Sequence, residues 1–376
     1  MTSNSVAKPF PLIHVGGTPR ERGFSYGRQA GERISTGAAL YRGAFERAGI
    51  DWSTASARAN YFLERIGHYD RAMFEEINGI AAGSEQPVEI VVAINARTEI
   101  LFGRHEDESD QQREVATTMQ EECTAALALP PITHDGHVLH GQNWDWNPGC
   151  EDTTIVLRIE NDNGPHILTM VEAGQLARHG FNSAGIALTV NGLHCDHDTG
   201  KVGVPSPLMR RRLLSSGTLG QAIETVLATR ISFSHNLLVS HSDGVAVGIE
   251  ATPEQNFWMQ PEGSLMVHAN HFKCPIARAR VRDVGLQQCP ESLYRDQRVW
   301  EHLHGRRGSI SAATFKEAFA DRFGAPDAVL RPPKPRSNGT ISATVASLIM
   351  DTTQRKMWVA PSPYKGIHYT EYSLAF

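Results

Sequence analysis

Glu121-Glu122-Cys123-Thr124-Ala125-Ala126-Leu127-Ala128-Leu129, then Pro130-Pro131-Ile132-Thr133-His134-Asp135-Gly136-His137-Val138-Leu139-His140-Gly141-Gln142-Asn143-Trp144-Asp145, is the stretch that decides how this chain is read. A cysteine opens a small, apolar, strand-like run from Thr124 to Leu129. Asp135-Gly136 is a turn dipeptide, and His137 to Leu139 begins a second strand-like run. Pairing the runs as a hairpin returns Asp145 to the neighbourhood of Cys123. A thiol and a carboxylate are then expected side by side at one end of a sheet.

Outward from this hairpin the pattern changes character. Residues 105–122 are rich in Glu, His, Asp and Gln with almost no apolar side chains, and read as a mobile connector. Before it the periodicity is helical. Pro19 can open a helix through Gly27, Ala30 and Ile34. Phe62, Ile66, Tyr69, Met73, Ile77 and Ile80 recur at three and four within residues 51–83, and residues 88–102 form an apolar helical run. After it come strands. Residues 153–160 and 166–171 flank Asn161-Asp162-Asn163-Gly164, and residues 235–241 and 245–250 flank Ser242-Asp243-Gly244. Residues 186–190 are a further strand, and short strands at Phe257-Trp258 and 265–267 flank Pro261-Glu262-Gly263. Helices are expected at 207–215, 218–229 (with a capping-box pattern from Thr218 to Gln221), 277–286, 291–303 and 311–323. Arg331-Pro332-Pro333-Lys334-Pro335 reads as a rigid loop, and strands at 343–350 and 356–360 close the chain. The succession indicates an α+β protein with layers of antiparallel sheet and helices outside.

With 376 residues, 40% hydrophobic and 20% charged, the chain can bury a sizeable core. A net charge of −5 argues against a nucleic-acid-binding surface. No apolar run is long enough to span a bilayer, and residues 1–9 carry no secretory signal pattern. The five cysteines include no CxxC, which fits free thiols in a reducing cytoplasm.

Glu122-Cys123-Thr124-Ala125 followed by Gly141-Gln142-Asn143-Trp144-Asp145 resembles the isopenicillin N acyltransferase-like group of N-terminal nucleophile (Ntn) hydrolases. Gly180-Phe181-Asn182-Ser183-Ala184-Gly185-Ile186, Asn191, Glu250-Ala251-Thr252-Pro253, His268-Ala269-Asn270-His271-Phe272, Asn95 to Glu99 and the N-terminal run from Gly17 to Gly23 also fit, so the resemblance spans nearly the whole chain. It implies a four-layer αββα sandwich and self-cleavage before Cys123. Residues 1–122 would form an N-terminal segment and 123–376 a catalytic segment, remaining associated as one domain. In such an enzyme the thiol attacks the Glu122 carbonyl and water cleaves the thioester. The freed α-amine of Cys123, with an unperturbed pKa near ~8, then serves as base. The resemblance assigns Asp145 to holding that amine and Asn270 to the oxyanion, with Asn191 a further candidate for the oxyanion or for substrate. Two departures stand out. Glu122 occupies a place where the family often has glycine. No arginine near Ile341 matches the one preceding the prototype's C-terminal strand, so the substrate pocket is expected to differ.

The expected function is therefore hydrolysis of a linear amide through a Cys123 thioester, with acyl transfer to an amine as the alternative. The expected substrate is a small molecule, and no cofactor, metal, nucleic acid or membrane is called for. Homo-oligomerisation is left open. Outside this class stand a metal-dependent hydrolase, built on His194-Cys195-Asp196-His197-Asp198, and a non-catalytic binding protein. The His194–Asp198 run reads as a solvated loop, and Arg210-Arg211-Arg212 as a solvated helix face. Cys150, Cys195, Cys274 and Cys289 read as structural.

Overall fold

The computed structural model describes residues 7–103, 122–198, 203–336 and 339–374. In chain order the first elements are β1 (Leu12–Val15), α1 (Pro19–Arg47), α2 (Trp52–Tyr69), α3 (Arg71–Gly83), α4 (Val88–Asn95) and α5 (Arg97–Phe102). The strands β2 (Glu122–Ala128), β3 (Leu139–Trp146), β4 (Thr154–Ile159), β5 (Ile167–Glu172), β6 (His179–Asn182) and β7 (Ile186–Gly192) follow. Then come α6 (Ser206–Leu214), α7 (Leu219–Ala228), β8 (His235–His241), β9 (Val245–Ala251), β10 (Asn256–Met259) and β11 (Leu265–His268). The chain closes with α8 (Pro275–Arg280), α9 (Ser292–His304), α10 (Ala312–Phe319), β12 (Lys334–Pro335), β13 (Ile341–Asp351), β14 (Lys356–Pro361) and β15 (Thr370–Ser373).

One sheet has the order β1-β4-β5-β6-β7-β8-β9-β10, antiparallel except for the β1/β4 pair. The other runs β11-β2-β3-β13-β14-β15, with β12 paired to β13. Strand alternation sends one face of each sheet inward. Trp144, Val345 and Leu348 meet Val156, Leu168, Met170 and Phe181 between the sheets, and Ala125 and Leu127 meet Leu238. On the outer face of the first sheet, Ile155, Leu157, Val171 and Leu237 bury the apolar sides of α1–α4, α6 and α7. On the outer face of the second, Ala126, Ala128, Leu139 and Ile349 cover Val299, Leu303, Phe315 and Phe319 of α9 and α10. The architecture is the expected αββα sandwich.

Helices α1 and α3 pack backbone to backbone. A Cβ on Gly27 would lie 2.2 Å from the Ile80 carbonyl oxygen, and one on Gly83 would lie 2.0 Å from that of Phe24. The crossing is clamped by Glu76, 1% exposed, which accepts from Arg22 at 2.6 Å and from Arg211 at 2.9 Å. The expected solvated face of Arg210–Arg212 holds for Arg212 alone, exposed over the Tyr69 ring; Arg210 and Arg211 are buried.

Several boundaries differ from expectation for local reasons. The helical run 51–83 breaks at Asp70, whose side chain accepts from the Met73 N–H and caps α3. The run 88–102 breaks at Ala96. Gln221 reaches the Gly217 N–H rather than closing a capping box on Thr218. The 277–286 helix is the short α8 followed by a separate 3-10 turn. β10 and β11 do not pair with each other; β10 joins β9 and β11 joins β2, so the chain crosses between sheets there. The connector lies outside the described residues except for Glu122, which is the first residue of β2. Among the described residues no helix is long and apolar enough to cross a membrane.

Candidate active site

The hairpin forms as read. β2 and β3 pair antiparallel, with Gly136 in the turn at φ +70°, a conformation that favours glycine. The register sets Glu122 opposite Asp145 and Cys123 opposite Trp144. With a side-chain period of two, Cys123 therefore faces the other sheet, among Trp144, Phe181 and Ala187. Glu122, Thr124 and Asp145 face the helical layer. The expectation that thiol and carboxylate lie side by side is corrected by this pleat: they share the sheet end but occupy opposite faces.

The Gly141–Asp145 motif works the same way. Gln142 bridges inward, donating to the Val190 carbonyl at 2.8 Å and accepting from its N–H at 3.2 Å. Asn143 bridges outward to the carbonyls of Phe319 and Val329. Asp145 follows on the outer face, where Thr344 Oγ1 donates to Oδ1 at 2.6 Å. Thr344 is aimed there by a bulge in β13 between Thr344 and Ala346. Burial is the main cause that pushes the Asp145 carboxyl up to about 8, against the opposing pull of Arg295.

Asn270 reaches the cysteine by register. β11 pairs with β2 so that His268 lies opposite Ala125, and two residues further Asn270 comes opposite Cys123. There its side chain replaces the ladder: Asn270 Oδ1 accepts from the Cys123 N–H at 2.8 Å. Arg295 Nη2 donates to the same oxygen at 2.8 Å, and Asn270 Nδ2 donates to the Gly192 carbonyl at 3.0 Å. Two donors converging on one amide atom fix it as the oxygen. The contact shown is thus acceptance from the Cys123 nitrogen. Asn191 sits one shell away, donating to the His268 carbonyl at 3.2 Å and accepting from Asn236. It ties β7 of one sheet to β11 of the other.

Three arginines that the sequence reading did not single out complete the site. Arg295, fully buried on α9, donates to the Cys123 carbonyl at 3.1 Å and to Thr124 Oγ1 at 2.8 Å. Arg331 forms an ion pair with Glu122 through Nη1 and with Glu291 through Nη2 at 2.7 Å; its Nε lies 3.9 Å from Asp145 Oδ2. Arg336 Nη2 lies 2.8 Å from Glu122 Oε2, and Ser342 Oγ donates to the same oxygen at 3.0 Å. Burial and the neighbouring Arg336 draw the Arg331 guanidinium down to about 9. Its signal in the sequence was an arginine held rigid by the prolines at 332, 333 and 335, just ahead of β13. Cys289, set aside above as structural, belongs to this neighbourhood, with Sγ 3.3 Å from both Glu291 Oε1 and Arg295 Nη2.

Among the described residues, ligand atoms of Glu122, Cys289 and Glu291 converge within 4.8 Å. The Arg331 guanidinium already bonds both carboxylates, so this is an ion-pair cluster rather than a vacant cation cage. The His194–Asp198 run is the solvated loop expected only in part: Asp196 is exposed, while Cys195 and the Asp198 side chain are buried. Asp198 is buried and accepts from Ser234 Oγ at 2.6 Å and Ser234 N at 3.0 Å, which locks the loop to the strand entry. Its histidines point apart, His194 toward Asp198 at 4.0 Å and His197 toward Glu254 at 3.5 Å.

An αββα sandwich with a cysteine at the head of its central hairpin defines the class of N-terminal nucleophile hydrolase folds. Within that class the chain belongs to the acyl-coenzyme A:6-aminopenicillanic acid acyl-transferase family, whose sequence model matches residues 132–362. The match contains Asp145, Asn191 and Asn270 and begins after Cys123. The chain is an enzyme of carbon–nitrogen bond chemistry. It is 27% identical over 357 residues to the 40 kDa form of acyl-coenzyme A:6-aminopenicillanic-acid-acyltransferase from Emericella nidulans, covering 93% of this chain and 92% of that protein. Among solved structures it is similar to a conjugated bile acid hydrolase from Clostridium perfringens: 12% identity, TM-score 0.47, 67% of this chain and 92% of that one. It is also similar to a Caenorhabditis elegans N-acylethanolamine-hydrolyzing acid amidase ortholog: 15% identity, TM-score 0.42, 67% and 100%.

Proposed function

We propose that the protein is a self-cleaving cysteine amidohydrolase that opens a linear amide of a small molecule through a Cys123 thioester. The observation that carries this reading is the holding of Cys123 through both of its peptide groups, the Glu122–Cys123 junction and the Cys123–Thr124 peptide that follows. The Cys123 N–H is held by Asn270 at 2.8 Å and the Cys123 carbonyl by Arg295 at 3.1 Å. In maturation Cys123 Sγ adds to the Glu122 carbonyl and the peptide C–N bond breaks, its nitrogen taking the thiol proton. Water then adds to the thioester carbonyl, the C–S bond breaks, and Glu122 ends one chain while Cys123 begins the other. In turnover the Cys123 amine accepts the thiol proton as the S–C bond to substrate forms, and delivers it to the leaving amine. A water molecule, deprotonated by the same amine, releases the acid. Asn270 orients the amine, and Asp145, on the strand paired to β2, supplies the nearby carboxyl.

The chains 1–122 and 123–376 would stay together, because residues of α1–α4 share one buried core with β4, β5, β7 and β8. The five free cysteines fit a reducing cytoplasm. If an amine rather than water attacks the thioester, the same site performs acyl transfer, the activity in the name of the Emericella nidulans relative. Denaturing mass analysis tests the reading. Wild-type protein should give two fragments parting between Glu122 and Cys123, and Cys123→Ala one inert chain. An active enzyme that stays uncleaved refutes the amine mechanism.

A further inference from the structure

The residue before the nucleophile is itself a substrate. In maturation the acyl group passed to Cys123 Sγ is that of Glu122, so its side chain lies where a later substrate's acyl substituent must lie. That side chain is held on one carboxylate. Arg331 and Arg336 pair with Glu122 Oε2 and Ser342 Oγ donates to it at 3.0 Å, and the Glu122 side chain is 8% exposed. Cleavage places Glu122 at the end of a separate chain. Once that end withdraws, the pocket keeps the guanidiniums of Arg295, Arg331 and Arg336 against the carboxylate of Glu291 and the carboxyl of Asp145. Positive charge left in excess in a buried site is costly, and an incoming carboxylate relieves it.

Resting on the thioester reading above, we propose that Arg331, Arg336 and Ser342 form an acyl-side carboxylate subsite. The preferred substrates are then amides of dicarboxylic acids with the spacing of glutamate, in which three carbons separate the reacting carbonyl from the second carboxylate. Glutaryl and α-glutamyl amides have this form. The reaction adds water to the glutaryl–nitrogen bond and releases the dicarboxylate and the amine.

The test compares glutaryl 4-nitroanilide with pentanoyl 4-nitroanilide on the mature enzyme. The two acyl chains have equal length and differ in the charged end. The expected kcat/KM ratio is on the order of 100-fold in favour of glutaryl, the scale of leaving one partner of a buried ion pair unmatched. Arg336→Gln should collapse that ratio, and because the Arg336 side chain is 15% exposed its loss is tolerated better than that of fully buried Arg331. Equal turnover of the two anilides, with Cys123→Ala inert, overturns the subsite and leaves the thioester mechanism standing. Turnover by Cys123→Ala overturns the mechanism itself. If neither anilide is cleaved, glutarate and pentanoate are compared as protectants of Cys123 against iodoacetamide. Protection by glutarate alone supports the subsite, and equal or absent protection refutes it.

Discussion

Replacing Asn270 by alanine and by aspartate separates the two things an asparagine amide can do at this junction. Its Oδ1 accepts from Cys123 N–H and from Arg295, each at 2.8 Å, and its Nδ2 donates to the Gly192 carbonyl at 3.0 Å. Alanine removes these contacts where both Cys123 and Asn270 are fully buried. An unmatched Cys123 N–H and Gly192 carbonyl cost about 1–3 kcal/mol each, so the uncleaved chain should lose roughly 2–6 kcal/mol of stability. In the cleaved enzyme the amine loses its acceptor, and misplacement on the scale of 1 Å lowers turnover on the order of 100-fold. Aspartate keeps an acceptor toward Cys123 and Arg295, but it keeps the Gly192 contact only as a protonated carboxyl, since an ionised oxygen 3.0 Å from that carbonyl is repelled. Because the acceptor toward the amine survives, Asn270→Asp should remain closer to wild type than Asn270→Ala. The assay is kcat on the cleaved fraction, quantified by intact mass. If Asn270→Asp falls as far as Asn270→Ala or further, the residue acts as an oxyanion donor, and the amine-orienting role is refuted.

Asp145 carries a pH signature. Its carboxyl holds a proton up to about 8 in the folded, uncleaved chain but only to about 3.8 when exposed, so unfolding releases a proton in between and stability falls as pH rises from about 4 to 8. In a Cys123→Ala background, Asp145→Asn should flatten that fall across chemical denaturation curves at several pH values; an unchanged slope refutes the assignment. Glu76→Gln should destabilise the mature protein by about 3–5 kcal/mol, because Arg22 and Arg211 stay buried without their anion. A thermal midpoint equal to wild type would show that this clamp contributes nothing.

The hairpin was legible because everything that makes it is local: an apolar run, a turn dipeptide and a second run within two dozen residues. The three helical runs between Pro19 and residue 102 were legible as pattern, while the breaks at Asp70 and Ala96 that make them five helices depended on capping and packing. The face of Asp145 was also open to reading. Registering Glu122 on Asp145 puts Trp144, not Asp145, beside Cys123, and a side-chain period of two does the rest. What stayed hidden came from distance in sequence. Arg295 and Arg331 meet the β2 end from 172 and 209 residues away, and nothing near Cys123 announces them. No arginine lies near Ile341 in the strand, whereas the structure brings Arg331 and Arg336 to Glu122 from the segment before it.

The end of β2 sends its groups in three directions, and the pleat decides which. The Cys123 side chain points between the sheets, its N–H points along the sheet to Asn270, and the Glu122 side chain points outward to the arginines. Thiol, nitrogen and acyl substituent are therefore separated before any bond is broken. Charge follows the same geometry. Before cleavage the Cys123 nitrogen is a neutral amide and Asp145 holds its proton at neutral pH. Cleavage would replace that amide by an ammonium on the strand paired with Asp145, and a nearby cation favours the ionised carboxylate. The carboxyl that is neutral in the precursor would then ionise near the amine that Asn270 orients, so the act of cleavage would itself change the protonation state of the site.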